Sequence, residues 1–292
     1  MKNLLLSFSG GETSAYMTQW CLANMKDEYN MVVVFANTGE ENEETLQFIK
    51  QCDELLDFNT TWIESVVQQG RNGTTYRMVD FDSASRNGEP FEQMIQKYGI
   101  PNQAYPHCTR ELKTQPIRSF VRDFMGWNDY YTAIGIRVDE VDRISEHKDK
   151  FKFIYPLAEM HMNPVTKQHV NRYWSDMPFR LQLKGYQGNC KACWKKSDRK
   201  LFTIYKENPS AFDNMMRWEK EYGDYVKDGR AGTDQRITFF RNNRSAEDVI
   251  KQAQSIDVKP PIDDSIDTEY QMNFFDEKLD VGFGCSESCE PF

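Results

Sequence analysis

The first 65 residues alternate between short apolar runs and longer stretches of helical spacing. Residues 4–8 are apolar almost throughout, and residues 31–36 are apolar and rich in β-branched side chains. Both suit strands covered on both faces. Residues 13–25 and 42–56 predict helices, the second with Leu46, Ile49 and Leu56 on successive turns. Residues 60–67 predict a third strand. Strand, helix, strand, helix, strand in that order predicts an α/β fold with a parallel, doubly wound sheet and right-handed crossovers. Further along, residues 113–124 read as a helix, 130–136 as a fourth strand and 166–174 as a capped helix start. Residues 197–222 read as two helices split near Asn208-Pro209, and 245–250 as a last helix. Residues 70–88 are polar and glycine-rich, with a candidate hairpin at 76–81. The chain divides into an α/β unit over 1–160, a helical cysteine-containing extension over 161–255 and an acidic tail over 256–292.

The first strand runs into Ser7-Phe8-Ser9-Gly10-Gly11-Glu12-Thr13-Ser14. Two glycines permit a sharp turn and close approach to a ligand. The helix that follows aims its unpaired N–H groups and positive dipole end at the same spot. Ser9, Thr13 and Ser14 add hydroxyls. The combination suits a phosphate cradle, although an ordinary strand-to-helix turn can also use Gly-Gly. Neither Gly-x-x-x-x-Gly-Lys nor Gly-x-Gly-x-x-Gly is present at this position.

Four segments, in order, carry a family resemblance. Ser-Gly-Gly-x-x-Ser after the first strand resembles the modified P-loop of N-type ATP pyrophosphatases and of the phosphoadenosine phosphosulfate (PAPS) reductase family. Asn37-Thr38-Gly39 closes the second strand as in that family. Cys108-Thr-Arg110-Glu-Leu-Lys113-Thr-Gln-Pro116 and Gly135-Ile-Arg137-Val-Asp139-Glu140-x-x-Arg143 resemble its later elements. The resemblance covers roughly residues 1–200. It implies an adenine nucleotide alpha hydrolase-like fold that binds ATP, or PAPS or adenosine phosphosulfate (APS), with Mg²⁺. The implied nucleotide contacts are Ser7, Ser9, Gly10, Gly11, Thr13, Ser14, Asn37, Thr38, Arg110, Lys113, Gly135 and Arg143, with Arg137 as a catalytic cation. Arginine suits bidentate phosphate or sulfate recognition; a solvated surface charge is the alternative for each. Asp139 and Glu140 read equally as Mg²⁺ or ribose contacts and as a loop salt bridge. The loop departs from many pyrophosphatases, which carry Asp where Thr13 stands, and from PAPS reductases, whose loop is richer in serine. The Ser-Gly-Gly form points to ATP.

Cys190-Lys-Ala-Cys193 is a Cys-x-x-Cys knuckle, and Cys108 lies 82 residues earlier. Paired thiolates at this spacing can hold a metal. In APS reductases a Cys-Cys pair precedes Cys-x-x-Cys by a similar interval and the four hold a [4Fe-4S] cluster; here His107-Cys108 replaces the pair. Four readings stay open. They are a [4Fe-4S] cluster on three cysteines, a cluster completed by His107, Cys285 or Cys289, a structural zinc, and a metal-free redox pair of Cys190 and Cys193. The resemblance also gives Cys108, Cys285 and Cys289 catalytic parts in sulfur chemistry, although the Glu-Cys-Gly context of reductase tails is missing. Cys21 and Cys52 fall within helices and read as core residues.

Charge refines the choice of partner. The chain of 292 residues has a formal net charge of −9. Residues 256–292 hold ten acidic residues and two lysines, so the rest carries about −1 and anionic substrates are not excluded. A basic cluster of Lys191, Lys195, Lys196, Arg199 and Lys200 surrounds Trp194. It reads either as a solvated helix face or as a polynucleotide contact that the acidic tail covers. The resemblance implies a tRNA or DNA acceptor and a sulfur donor or thiol reductant. No apolar run reaches the length of a membrane helix, and the first apolar stretch is too short for a signal peptide. The expectation is a cytoplasmic enzyme with reduced cysteines, handling sulfur through an adenine nucleotide by ATP-dependent transfer to a nucleic acid or small acceptor; the alternatives are a PAPS or APS reductase that releases sulfite and a non-catalytic nucleotide-binding protein on the same fold.

Overall fold

The computed structural model describes residues 1–68, 70, 73–160, 164–224 and 236–265. Six strands, β1 (Lys2–Ser7), β2 (Tyr29–Asn37), β3 (Thr61–Val67), β4 (Thr74–Val79), β5 (Tyr131–Ala133) and β6 (Phe153–Ile154), form one sheet in the order β4-β3-β2-β1-β5-β6. All neighbours pair in parallel except β3 and β4, which form an antiparallel hairpin at one edge. Helices α1 (Glu12–Asn24) and α2 (Glu43–Leu56) make the first two crossovers. The chain then returns through α3 (Glu89–Tyr98) and α4 (Gln115–Asp123) and lays β5 on the other side of β1. The winding thus reverses between β1 and β5, and a crevice is expected where their carboxyl ends part.

Alternation along β1 feeds both faces of the sheet. Leu4 and Leu6 enter a core with Val33, Phe35 and Phe48, whereas Leu5 joins Val34, Ile117 and Phe120 beneath α4. All three leucines are fully buried, each contributing roughly 1.5–3 kcal/mol of apolar burial. After a short helix α5 (Lys148–Phe151) come α6 (Lys167–Ser175), α7 (Asp198–Glu207), α8 (Asp213–Tyr222) and α9 (Ala246–Ser255). Trp174 of α6 joins the core beside Phe48 and donates its indole N–H to Glu12 O at 3.0 Å. α7, α8 and α9 build a second core with α3, centred on Met94, Phe202, Phe212 and Trp218.

The pattern-based elements recur with four differences. The hairpin expected at 76–81 lies earlier in the chain, formed by β3 and β4, because β4 ends at Val79 and the chain turns there. The fourth predicted strand is shorter, Tyr131–Ala133, because the chain turns away at Gly135. The predicted helix over 113–124 begins with a wider turn, Arg110–Thr114, closed by Gln115 N–H to Arg110 O. Such π-turns often sit at functional sites. Helix α3 was not expected, although Phe91, Met94 and Ile95 stand at helical spacing. Cys21 and Cys52 are fully buried, and burial pushes both thiols up, Cys21 to about 12. Among the described residues no helix is long and apolar enough to cross a membrane.

Candidate functional site

β1 ends against β2, with Phe8 N–H donating to Val34 O at 3.0 Å. The chain then turns at Gly10, whose φ is +81°, and α1 starts after Gly11. Ser14 Oγ accepts from Ser9 N at 3.3 Å, lies 2.9 Å from Ser9 Oγ and donates to Gly11 O at 2.9 Å. These bonds clamp the loop to the first turn of α1, whose N–H groups have no partner further back in the helix. Gly135 forms the facing wall. A Cβ there would stand 3.1 Å from Ser14 Cα, so its absence lets the end of β5 approach α1.

Between these walls lies a cleft open to solvent, with about 630 Å³ of space inside and above it. Ser9, Gly11, Thr13, Ser14, Gly135, Arg137 and Arg143 line it, as do Glu12, Glu140, Lys167, Leu181, Leu183, Lys184, Gly188, Asn189 and Ser265. Arg137 is buried and bridges the walls, donating to Thr13 Oγ1 at 3.0 Å and to Asp139 at 3.1 Å. Glu140 is shared by two guanidiniums, Arg137 at 3.2 Å and Arg143 at 2.6 Å. Asp139 and Glu140 thus form the loop salt bridge that stood as one of their two readings. Glu12 is gripped by Arg180 at 3.0 and 3.1 Å; burial raises its pKa while Arg180 pulls it down. Four cations, Arg137, Arg143, Lys167 and Lys184, thus line the cleft with two carboxylates, Glu12 and Glu140, both held by arginine; Arg137 is also paired with Asp139 and Lys184 with Glu207, both outside the lining. The cleft suits an anion, and Leu181 and Leu183 offer apolar wall. Mg²⁺ fits here chiefly as an ion carried by phosphate oxygens, since both carboxylates are held by arginine.

The other expected nucleotide contacts lie elsewhere. Ser7 is buried at the end of β1. Asn37 is fully buried, donating to Glu64 Oε1 at 2.6 Å and Ser85 O at 2.9 Å. Thr38 donates to Glu41 through its hydroxyl and its N–H. Arg110 is exposed and paired with Glu111 at 2.7 Å. None of these four lines the cleft, nor does Lys113.

Lys113 instead lines a second cavity of about 450 Å³ with Thr38, Glu40, Cys108, Cys190, Cys193 and Trp194, walled by Phe91, Leu112, Ala192 and Met215. Burial pushes the Glu40 carboxyl up to about 7, against the pull of Asn214, which donates to it at 2.6 Å. The three cysteines of the sequence pattern thus share one chamber. His107 lies outside it, with its Nε2 3.0 Å from Gly99 O. Among the described residues no three His, Cys, Asp or Glu side chains stand close enough to hold one metal ion. Cys285 and Cys289 lie outside the described residues.

The basic cluster is not a solvated helix face. Lys196 and Arg199 are buried, and both serve as anchors, Lys196 on Cys190 O and Arg199 on Lys259 O at 2.9 Å. Lys191 reaches Arg86 O at 3.3 Å, and Lys195 lies over the Trp194 ring.

Pattern reading missed Lys167, Leu181, Leu183, Lys184, Asn189 and Ser265. They come from irregular chain or the start of a helix, where periodicity carries no signal. The one legible cue was Gly185-x-x-Gly188-Asn189, glycines just ahead of the knuckle.

Comparison with known proteins agrees with the resemblance. Residues 3–82 match the family model of the phosphoadenosine phosphosulfate reductase domain. The chain is 28% identical to an uncharacterised nin-region protein of Escherichia phage lambda, over 99% of this chain and 94% of that protein. It is 28% and 22% identical to two uncharacterised proteins of Methanocaldococcus jannaschii, over 74% and 79% of this chain, and it spans less than half of either, 47% and 44%. Among solved structures, one described as a predicted subunit of tRNA methyltransferase from the same archaeon aligns with 84% of this chain and 100% of its own, at 14% identity and a TM-score of 0.33.

Proposed function

We propose that the chain is an enzyme that binds ATP in the β1–β5 cleft and uses it to replace an acceptor oxygen by sulfur. The observation that carries this reading is the pairing of two chambers. A phosphate-sized cradle with two arginines lies on one side of residues 188–191, and a chamber with three cysteines lies on the other. In the reaction, an acceptor carbonyl oxygen attacks the α-phosphorus, the bond to the bridging oxygen breaks, and pyrophosphate leaves. A sulfide-level sulfur from an external donor then forms the C–S bond as the C–O bond to AMP breaks. The first turn of α1, Arg137 and Arg143 neutralise charge on the departing phosphates, which is the main demand of such transfers. Mg²⁺ brought by the nucleotide supplies further neutralisation. A tRNA or DNA base with an exchangeable carbonyl is the acceptor class, with a small molecule as the simpler substitute.

The test is thermal melting of anaerobically purified protein with ATP, APS and PAPS, each with Mg²⁺. A ligand at about 100 times its Kd adds roughly 2.7 kcal/mol. ATP is expected to give the largest rise, with AMP and pyrophosphate released when tRNA, DNA and a sulfide donor are present. A rise with PAPS or APS alone would favour reductive release of sulfite by Cys285 or Cys289 with a thiol reductant. No rise with any of the three, or a rise with ATP and no turnover on any acceptor, would overturn the proposed reaction.

A further inference from the structure

Asn189 lines the nucleotide cleft and is 8% exposed, and its Nδ2 is shielded from water without a hydrogen-bond partner. A buried amide in that state bears the desolvation penalty of an unmade bond. Its other end faces the loop, with Oδ1 3.8 Å from the position of a Cβ on Gly11. A half-turn about the terminal torsion exchanges Nδ2 and Oδ1 and presents the donor to the space above Gly11. The backbone around it is firmly held by the loop after β2. Asn42 N donates to Asn189 O at 3.3 Å, Asn42 Nδ2 donates to Gly188 O at 3.0 Å, and Lys191 N donates to Glu40 O at 3.0 Å. Glu41 and Cys190 pair as an antiparallel bridge. In extended chain, successive side chains face opposite ways. Asn189 accordingly lines the nucleotide cleft and Cys190 the cysteine chamber.

We propose that Asn189 binds the nucleotide by donating its amide to an anionic oxygen, and that residues 188–191 thereby couple nucleotide occupancy to the accessibility of Cys190. The proposal rests on the reading of the cleft as an adenine nucleotide site. It adds a ligand-binding residue outside the loop and a physical link between the two chambers.

The experiment uses the full chain as wild type, Asn189→Ala and Asn189→Asp. ATP-Mg²⁺ affinity is measured by calorimetry. The rate of Cys190 alkylation by iodoacetamide is measured by mass spectrometry, with and without saturating ATP. Loss of a hydrogen bond to a charged oxygen should weaken ATP binding about 10- to 100-fold in Asn189→Ala. Asn189→Asp, near in shape but anionic, should weaken it at least as much, with the ligand-free melting temperatures of both variants unchanged. ATP should change the Cys190 rate at least about threefold in wild type, and saturating ATP should leave it unchanged in Asn189→Ala. Wild-type affinity in both variants overturns the proposal. A full Cys190 response in Asn189→Ala overturns the coupling. Unfolding of both variants assigns Asn189 to the fold and overturns its binding role. A folded wild type that binds neither ATP nor PAPS refutes the nucleotide reading itself, a result separate from any effect of the variants.

Discussion

Gly10 and Gly11 are adjacent, yet the structure assigns them different work, and alanine at each separates the two. Gly10 has a φ of +81°, and a Cβ there would stand 2.6 Å from Thr45 Cγ2 and 2.9 Å from Ile49 Cδ1. The left-handed backbone costs an alanine roughly 1–2 kcal/mol. Forcing a methyl against α2 adds about 1–3 kcal/mol of overpacking. Gly10→Ala should therefore lose about 2–5 kcal/mol, or roughly 3–8 °C in Tm for a chain of this size. Gly11 has a φ of −97°, and the nearest atoms to its Cβ, Asn189 Oδ1 and Ser9 Oγ, are both at 3.8 Å. Gly11→Ala strains nothing and loses unfolded-state freedom, so stability should hold or rise by about 0.4–1 kcal/mol. Its methyl, however, projects into the cleft where the proposed nucleotide would set its phosphates against the first turn of α1. Melting with and without ATP-Mg²⁺ reads both effects. Gly10→Ala should melt early, and Gly11→Ala should melt normally but lose the ATP-induced rise. A Gly11→Ala protein with the wild-type rise and Kd would show that the nucleotide does not use this loop, and a Gly10→Ala protein with unchanged Tm would refute the packing argument.

Two further outcomes follow from the cysteine chamber. Glu40 has its folded pKa raised to about 7 by burial, against an ordinary value near 4.3. A raised carboxyl favours the folded state when protonated, so this stability is fully present below the ordinary pKa and is lost as pH rises through about 7. The loss amounts to about 3–4 kcal/mol. Melting between pH 5 and 8 should show it in wild type and less of it in Glu40→Gln, whose side-chain carbonyl still accepts from Asn214; parallel pH profiles would refute the assignment. Metal analysis of anaerobically purified protein should find less than stoichiometric zinc and iron, and stoichiometric metal lost on mutating Cys190 would show that the thiols gather around an ion.

The sheet was legible because its signals are local. Residues 4–8 and 31–36 are too apolar to be anything but buried, and the Gly-Gly loop between the first strand and helix needs no tertiary information to be recognised. Arg137 was legible by its place just after a strand. Asn37 was misplaced because a strand-end polar residue looks alike whether it meets ligand or a buried carboxylate. Only the fold reveals Glu64 across from it, 2.6 Å away. Helix α3 was lost behind its glycine-rich approach, since Gly88 and Pro90 read as loop punctuation. Yet Pro90 sits at the helix start, where its missing N–H does no harm. The cysteine chamber was half legible. Spacing brought Cys108, Cys190 and Cys193 together, but cannot tell a shared apolar chamber from a ligand set.

Net charge misleads most where the chemistry lies. A chain of −9 presents a cleft in which cations outnumber carboxylates, because the negative charge is concentrated in the last stretch of sequence. The described part of that stretch reaches Arg199 of the basic cluster through backbone carbonyls. It is held mainly by its backbone and by Asp263. Arg199 donates to the carbonyls of Lys259 and Pro260, Lys206 to Ile256 O, and Asn171 to Asp264 O. Gly185 N–H caps the Asp263 carboxylate at 2.9 Å. These contacts carry the chain to Ser265, which becomes part of the cleft wall. Arg180 completes the path, donating at once to Glu12 in the first turn of α1 and to Ser265 O at 2.7 Å. One guanidinium therefore joins the first turn of α1, the helical extension and the start of the acidic tail. Arg199 of the basic cluster, with Asn171, Arg180, Gly185 and Lys206, thus brings the tail to the mouth of the β1–β5 cleft.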